Sequence, residues 1–334
     1  MICKNILLDT DIGPDCDDAG ALAVLNRYAD RGACRILGIG HCTSNPYGAG
    51  AIDAICRFYG RPDVPIGTYQ GAGFLDGAEY RKYNQAVTER FPNRYRDRQP
   101  EDAVAMYRRI LAEQEDKSVD FAAIGPLNNL AALLQSGADE RSPLSGMELV
   151  RRKVRRLVMM AGIFRCSSPM LCAQAEAVTG MKIEETPEFN VACDIPAARY
   201  VAAHWPTPKV YLGFEAGMVE TGPSQQENAA DNPVALAYAL YTENGRRYSW
   251  DLFTTEYATA ENCPHYRLSA PGTVRFDEKG RTVWTENKAE NGRKNPAGEM
   301  AAGENAALMG TDYFIELAMP EEEIAREVDA LLVG

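Results

Sequence analysis

Short apolar runs alternate along this chain with longer segments whose apolar residues recur at helical spacing, and this alternation constrains the fold most. "NILLD" (5–9) reads as a strand, followed by the helical pattern "DAGALAVLNRYADR" (18–31). "CRILGIG" (34–40) and "AGAIDAICRFYG" (49–60) repeat the pair, the second helix stopped by Gly60, and "VPIGTY" (64–69) reads as a third strand. Residues 70–100 have no clear period and read as a long loop or lid. "EDAVAMYRRILAEQ" (101–114), "VDFAAIG" (119–125) and "LNNLAALLQSG" (127–137) read as helix, strand and helix, and "VRRLVMMAGIF" (154–164) as a strand before an irregular stretch, 165–187. Next come a helix with Pro196 in its first turn, the strand "KVYLGF" (209–214), and helices at 233–245 and 249–261. "GTVRFDEKGRTVWTE" (272–286) predicts a hairpin turning at Glu278-Lys279-Gly280, and 320–334 a terminal helix. The expectation is an α/β fold, a mainly parallel sheet flanked by helices with a small β-hairpin addition, in one domain over 1–334.

The formal net charge is −12 and no long Lys/Arg run occurs, which argues against nucleic acid or an anionic membrane as partner. No stretch reaches the apolar length of a membrane span, and "MICKNILLDTD" is too short and too early in charge for a signal peptide. The nine cysteines are scattered without a CxxC pair, which fits free thiols and a cytoplasmic location.

The chemistry concentrates at the end of the first strand. "LLDTDIGPDCDDAGALAVL" (7–25) gathers Asp9, Asp11, Asp15, Asp17 and Asp18 within ten positions. One or two could cap the following helix. Five crowded carboxylates at a strand end repel strongly, and a divalent cation is the usual relief. Oxygen-only donors suit Ca²⁺ or Mg²⁺, and bidentate carboxylates suit Ca²⁺ especially. Cys16 sits in a negative field that raises a thiol pKa, which argues against a nucleophile.

Two families begin with a strand and D-x-D. The aspartate-nucleophile phosphatases share only the short "LLDTD", with Asp9 as nucleophile. The whole of "DTDIGPDCDDAGAL" resembles the longer form of the nucleoside hydrolase signature, D-T-D-x-G-x-D-D with two added residues, then A-x-A-L. Four further segments resemble that family in the same order: "GIGHCTSNPYGAGAIDAI", "AAIGPLNNLAALL", "TPEFNVACDIPAA" and "SWDLFTTEYA". The resemblance runs from about residue 5 to 260.

It implies a Ca²⁺ ion held by Asp11, Asp18, Asp251 and the main-chain carbonyl of Ile124. It gives Asp17 to the ribose 2′-hydroxyl, Asn45, Glu188 and Asn190 to the substrate, and Asp9 to orienting Asp11 or the metal waters. Asp11 becomes the general base toward water. The expected activity is metal-dependent hydrolysis of the N-glycosidic bond of a ribonucleoside or related N-riboside to ribose and free base, in purine or pyrimidine salvage, by a homodimer or homotetramer. Alternatives are the aspartate-nucleophile phosphatase and a ribose- or nucleoside-binding protein without efficient catalysis. The chain departs from the common late His-Asp pair: it carries Trp250-Asp251. Indole cannot protonate a leaving base at neutral pH, although it can stack on a purine or cap an apolar wall. His41 and the tyrosines Tyr69, Tyr80 and Tyr83 are then the next candidates for a leaving-group acid.

Overall fold

The structure, a computed structural model, describes residues 3–164, 173, 176–177, 180–223, 230–260, 262–287 and 311–333. Cys166, Cys172 and most of the irregular stretch after residue 164 lie outside the described residues. In chain order, β1 (Lys4–Thr10) feeds α1 (Asp17–Asp30), and β2 (Cys34–His41) feeds α2 (Gly48–Phe58). β3 (Ile66–Thr68), α3 (Asn84–Arg90), β4 (Glu101–Asp102) and α4 (Ala103–Glu113) follow. Then come β5 (Val119–Ala123), α5 (Asn128–Gln135), α6 (Gly146–Lys153) and β6 (Val154–Met160). The second half holds α7 (Phe189–Cys193), α8 (Ile195–His204), β7 (Lys209–Leu212), β8 (Glu220–Thr221) and α9 (Pro233–Tyr241). It continues with β9 (Arg247–Tyr248), α10 (Trp250–Thr259), β10 (Tyr266–Leu268), β11 (Gly272–Phe276), β12 (Thr282–Glu286), β13 (Asp312–Leu317) and α11 (Glu321–Val333).

The central sheet runs β12-β11-β13-β7-β6-β5-β1-β2-β3-β4. Every neighbouring pair from β13 to β4 is parallel, and the antiparallel pairs lie at the β10–β13 end. The expected mainly parallel α/β sheet is what forms. β1 explains why: its apolar run serves two faces, with Ile6 and Leu8 in the core on one side and Leu7 in the core on the other. Strand order reverses beside β1, which has β2 on one flank and β5 on the other. In parallel sheets such a reversal opens a crevice at the strands' carboxyl ends.

The hairpin also forms. Asp277 Oδ1 accepts the backbone N–H groups of Lys279 and Arg281, and Gly280 takes the left-handed backbone (φ 79°) that the turn requires. It joins the main sheet through β13, packing Trp284 edge-on against Phe314. Several elements depart from the sequence reading. β4 occupies Glu101–Asp102, where the helix is expected to begin. The segment read as an aperiodic lid contains α3, anchored by buried Tyr83, Asn84 and Val87. α6 starts with a Ser145–Glu148 capping box. β13 slots between β7 and the hairpin, a placement that only long-range pairing defines. No described helix is long and apolar enough to cross a membrane.

Candidate active site

The loop after β1 turns into α1 at the strand-order reversal, and this places the aspartates. Asp11 follows the strand, and Asp17 and Asp18 form the first turn of α1, where free N–H groups favour carboxylates. Asp251 comes from the first turn of α10, which packs along α1. One carboxylate oxygen from each of Asp11, Asp18 and Asp251 lies within 4.8 Å of the others, and all three residues are buried. Asp17 joins them by accepting the Asp251 backbone N–H on Oδ2 at 3.1 Å. Thr10 donates its hydroxyl to Asp18 Oδ1. Gly125, just after β5, allows the close approach: a Cβ there would lie 2.9 Å from the Asp11 backbone nitrogen. Ile124 lines the same cavity, its N–H bonded to the Asp9 carbonyl at 2.8 Å.

Burial, then repulsion from Asp15, Glu188 and Asp9, pushes the Asp11 carboxyl up to about 8. Asp17, Asp18 and Asp251 are pushed well above the usual carboxylate range by burial first, and then by repulsion from Asp15 at Asp17, from Asp11 at Asp18 and from Asp17 at Asp251. Such a group of oxygens has the features a hard divalent cation needs: convergent carboxylates, no soft donor among them and, among the described residues, no ion pair with a lysine or arginine. The residues fit the expected metal.

Asp9 lies beneath this group. It is fully buried, accepts the Tyr107 hydroxyl (2.5 Å) and the Asn129 amide (2.9 Å) on Oδ1, and leaves Oδ2 without a partner. Burial pushes its carboxyl up to about 7. Gly40 makes room for this contact, since a Cβ there would fall 1.5 Å from the Tyr107 oxygen. A phosphatase nucleophile must meet substrate, and Asp9 does not line the cavity. Asp15 accepts the Nε and Nη2 hydrogens of Arg247, one edge of the guanidinium, on both carboxylate oxygens at 2.5–2.9 Å. This arginine lies over the rings of Tyr241, Tyr248 and Trp250. The sequence held no signal for that pair: the partners are 232 residues apart.

The cavity, of about 270 Å³, is lined by the carboxylates and by Phe214, Tyr241 and Trp250. Trp250 stacks on Phe214 with ring centres 5.1 Å apart and donates its indole N–H to the Phe214 carbonyl at 2.7 Å. Its N–H is therefore engaged, while the side chain lines the cavity. Glu188 and Asn190 both line the cavity. Glu188 caps α7, accepting the Asn190 and Val191 N–H groups, and burial pushes its carboxyl up to about 7. The Asn190 amide donates to the Met160 carbonyl at 3.1 Å. Asn45 sits aside from the lining residues, donating to the Tyr80 carbonyl (2.8 Å) and accepting the Tyr47 N–H (3.0 Å). It thus holds Tyr80, which does line the cavity.

The other acid candidates separate clearly. His41 is buried between the Thr43 and Thr68 hydroxyls, and burial lowers its pKa to about 3, so it is neutral and has no proton to give at physiological pH. Tyr83 is fully buried and donates to the Asp15 carbonyl, and Tyr69 packs against Phe74. Burial and the charges of Asp15 and Asp17 push the Cys16 thiol well up, which keeps it inert.

Residues 6–300 match the family model described as inosine-uridine preferring nucleoside hydrolase. The chain belongs to this family. It is a hydrolase acting on N-glycosyl bonds, and N-ribosides are the substrate class of that family. Solved nucleoside hydrolases share the fold. A plant nucleoside hydrolase is 18% identical, with all of both chains covered and a TM-score of 0.63. The inosine-uridine preferring enzyme from Bacillus anthracis is 16% identical, covering 98% of this chain and 99% of its own, with a TM-score of 0.63. The purine-preferring ribonucleoside hydrolase from Gardnerella vaginalis is 16% identical over the same shares, with a TM-score of 0.62. No curated protein sequence matches the chain.

Beyond the nucleoside hydrolase motifs, the sequence did not single out Arg247, Phe214 or Tyr241. Phe214 and Tyr241 lie in segments read only as a strand and a helix, and Arg247 lies between two helices in a segment without a local pattern. Tyr107 and Asn129 reach Asp9 from helices read only for their core faces.

Proposed function

We propose that this nucleoside hydrolase splits a ribonucleoside or related N-riboside with Ca²⁺ held by Asp11, Asp18, Asp251 and the Ile124 carbonyl. The observation that carries this reading is the convergence of three buried carboxylates on a cavity that aromatic rings also line. When bound, the ion would supply Lewis acidity toward water and the sugar hydroxyls. Asp11, beside that ion, accepts the proton of the attacking water as general base. Asp17 takes the ribose 2′-hydroxyl, while Glu188 and Asn190 fix the sugar between β6 and α7. Asn45 acts on the substrate through Tyr80, whose main chain it holds. Asp9 props Asp11 from below, tied in place by Tyr107 and Asn129.

Trp250 offers the base a stacking surface and no proton. Ribosides with good leaving groups are therefore favoured over natural nucleosides. A role in nucleoside salvage, a homo-oligomeric state and a single domain complete the proposal. A cytoplasmic setting is supported by the seven described cysteines, all free thiols.

The test is ribose release from inosine, uridine, nicotinamide riboside and nitrophenyl riboside, by chelator-treated protein with and without added Ca²⁺. Release that needs Ca²⁺ and is fastest on nitrophenyl riboside is expected. Full activity in the chelated protein would remove the metal from the proposal. Equal rates on all four substrates would remove the argument from Trp250.

A further inference from the structure

A second group of ligand-bearing side chains lies at the opposite end of α10 from Asp251. Glu256, Cys263 and His265 each place one ligand atom within 4.8 Å of the others. Glu256 and His265 are buried and Cys263 is partly so. His265 Nδ1 faces Glu256 Oε2 at 2.9 Å, while Nε2 faces Glu327 of α11 at 3.0 Å. Glu256 is itself held by two hydroxyls: Tyr28 donates to Oε1 at 2.9 Å and Tyr266 to Oε2 at 2.7 Å. None of these residues lines the nucleoside cavity.

The donor set differs in kind from the aspartate group. It offers one sulfur, one imidazole nitrogen and one carboxylate oxygen, the mixture that borderline ions of the zinc type accept in tetrahedral geometry. The surroundings also have the form a metal-binding histidine uses. Such a ring gives its second nitrogen to a carboxylate, which fixes tautomer and orientation; Glu327 stands at that nitrogen. The carboxylate ligand is likewise hydrogen-bonded from behind by Tyr28 and Tyr266. The loop that presents Cys263 bends through Asn262 in the left-handed region (φ 55°), directing the segment back toward α10.

We propose that Glu256, Cys263 and His265 form a second metal site, for Zn²⁺ or a similar ion, with Glu327 positioning the His265 ring from its far nitrogen. Three protein ligands leave a fourth position to water. Binding displaces the proton between His265 Nδ1 and Glu256 and that of the Cys263 thiol, and both go to solvent. The ion clasps α11, through Glu327, to the end of α10, while the first turn of that helix carries Trp250 and Asp251. The site is independent of the proposed Ca²⁺ site, because hard oxygen donors make the one and a thiolate marks the other.

The experiment uses the full chain stripped with chelator and then titrated with Co²⁺ and, separately, Zn²⁺. Co²⁺ is expected to produce a thiolate-to-metal absorption band that persists in Asp18→Asn and disappears in Cys263→Ser. Zn²⁺ should protect Cys263 from alkylation, read peptide by peptide in the unaltered protein, and raise its Tm. Glu327→Gln should weaken Zn²⁺ binding by about tenfold to a hundredfold. Absence of the band, its survival in Cys263→Ser, or its loss in Asp18→Asn overturns the assignment. The alkylation experiment decides without any variant: alkylation of Cys263 at an unchanged rate under saturating Zn²⁺ overturns it equally.

Discussion

Buried aspartates occur at both ends of the central sheet, and the two ends treat them in opposite ways. Toward the amino ends of the strands, Asp120 is almost wholly buried, yet Arg155 and Arg156 reach it at 2.5 and 3.1 Å. Burial alone would raise its carboxyl; the two guanidinium groups outweigh that and hold it below the usual range. Asp312 meets Lys209 at 3.0 Å at the start of β13 and β7, an ion pair that offsets only part of the rise burial causes in its carboxyl. At the carboxyl ends, Asp11, Asp18 and Asp251 are equally buried, and their pKa values move up. Arg247 is the guanidinium of the cavity wall, and its ion pair is with Asp15. One end neutralises its acids internally and is structural. The other leaves its charge for an ion from outside, a loss of intrinsic stability that a functional site accepts.

The largest expected effect tests the carboxyl end directly. Asp11→Asn keeps the shape of the side chain and removes the base, so ribose release should fall by about 10²–10⁴. Retention of full activity would break the contrast, because Asp11 would then be no more than another buried acid. Trp250→His comes next. It supplies an ionisable ring where an indole now stacks on Phe214, and it should raise rates on inosine or uridine by about tenfold or more relative to nitrophenyl riboside. An unchanged ratio between the two kinds of substrate would place the limiting step elsewhere.

A paired stability measurement sharpens the comparison. Asp120→Asn leaves Arg155 and Arg156 without their carboxylate and should destabilise the protein by about 3 kcal/mol, the lower end for a broken buried pair because both arginines reach water. Asp18→Asn should do the reverse in metal-stripped protein, raising Tm by removing an uncancelled charge while its amide oxygen still accepts from Thr10. With metal present, the same variant should lower Tm. Chemical denaturation of both variants, with and without chelator, reads the signs; destabilisation by Asp18→Asn in the stripped protein would contradict the account.

The smallest effect concerns His41. Its folded pKa is depressed to about 3, so the unfolded chain takes up the proton first as pH falls below the ordinary value of 6.5. The stability due to neutral His41 is therefore complete above 6.5 and declines between 6.5 and 3, by about 1.4 kcal/mol per pH unit. Comparing denaturation at pH 7 and 5.5, His41→Asn should lose less stability on acidification than the unaltered protein. Identical losses would mean that the ring takes up its proton as readily in the fold as in the unfolded chain.

The sequence by itself determined the alternation of strand and helix, the parallel sheet and the aspartate-rich strand end, because those signals are local. An apolar run, a helical period and an Asp at a helix start are each set by neighbours within a few residues. By resemblance it also carried Asp11, Asp18, Asp251, Glu188 and Asn190 to one cavity, where they meet. Only the tertiary structure decided which charges are cancelled. Asp15 and Asp18 are alike in sequence, both within the same short loop and helix start. Arg247, 232 residues from Asp15, pairs with that residue, and Asp251 approaches Asp18 instead. Tertiary contacts likewise made His41 inert between two threonines, turned Asn45 toward Tyr80, and placed β13 in the middle of a sheet edge. The physical reason is the same in each case. Burial and Coulomb energy depend on what lies within a few ångströms in space, and residues that meet there are often far apart along the chain.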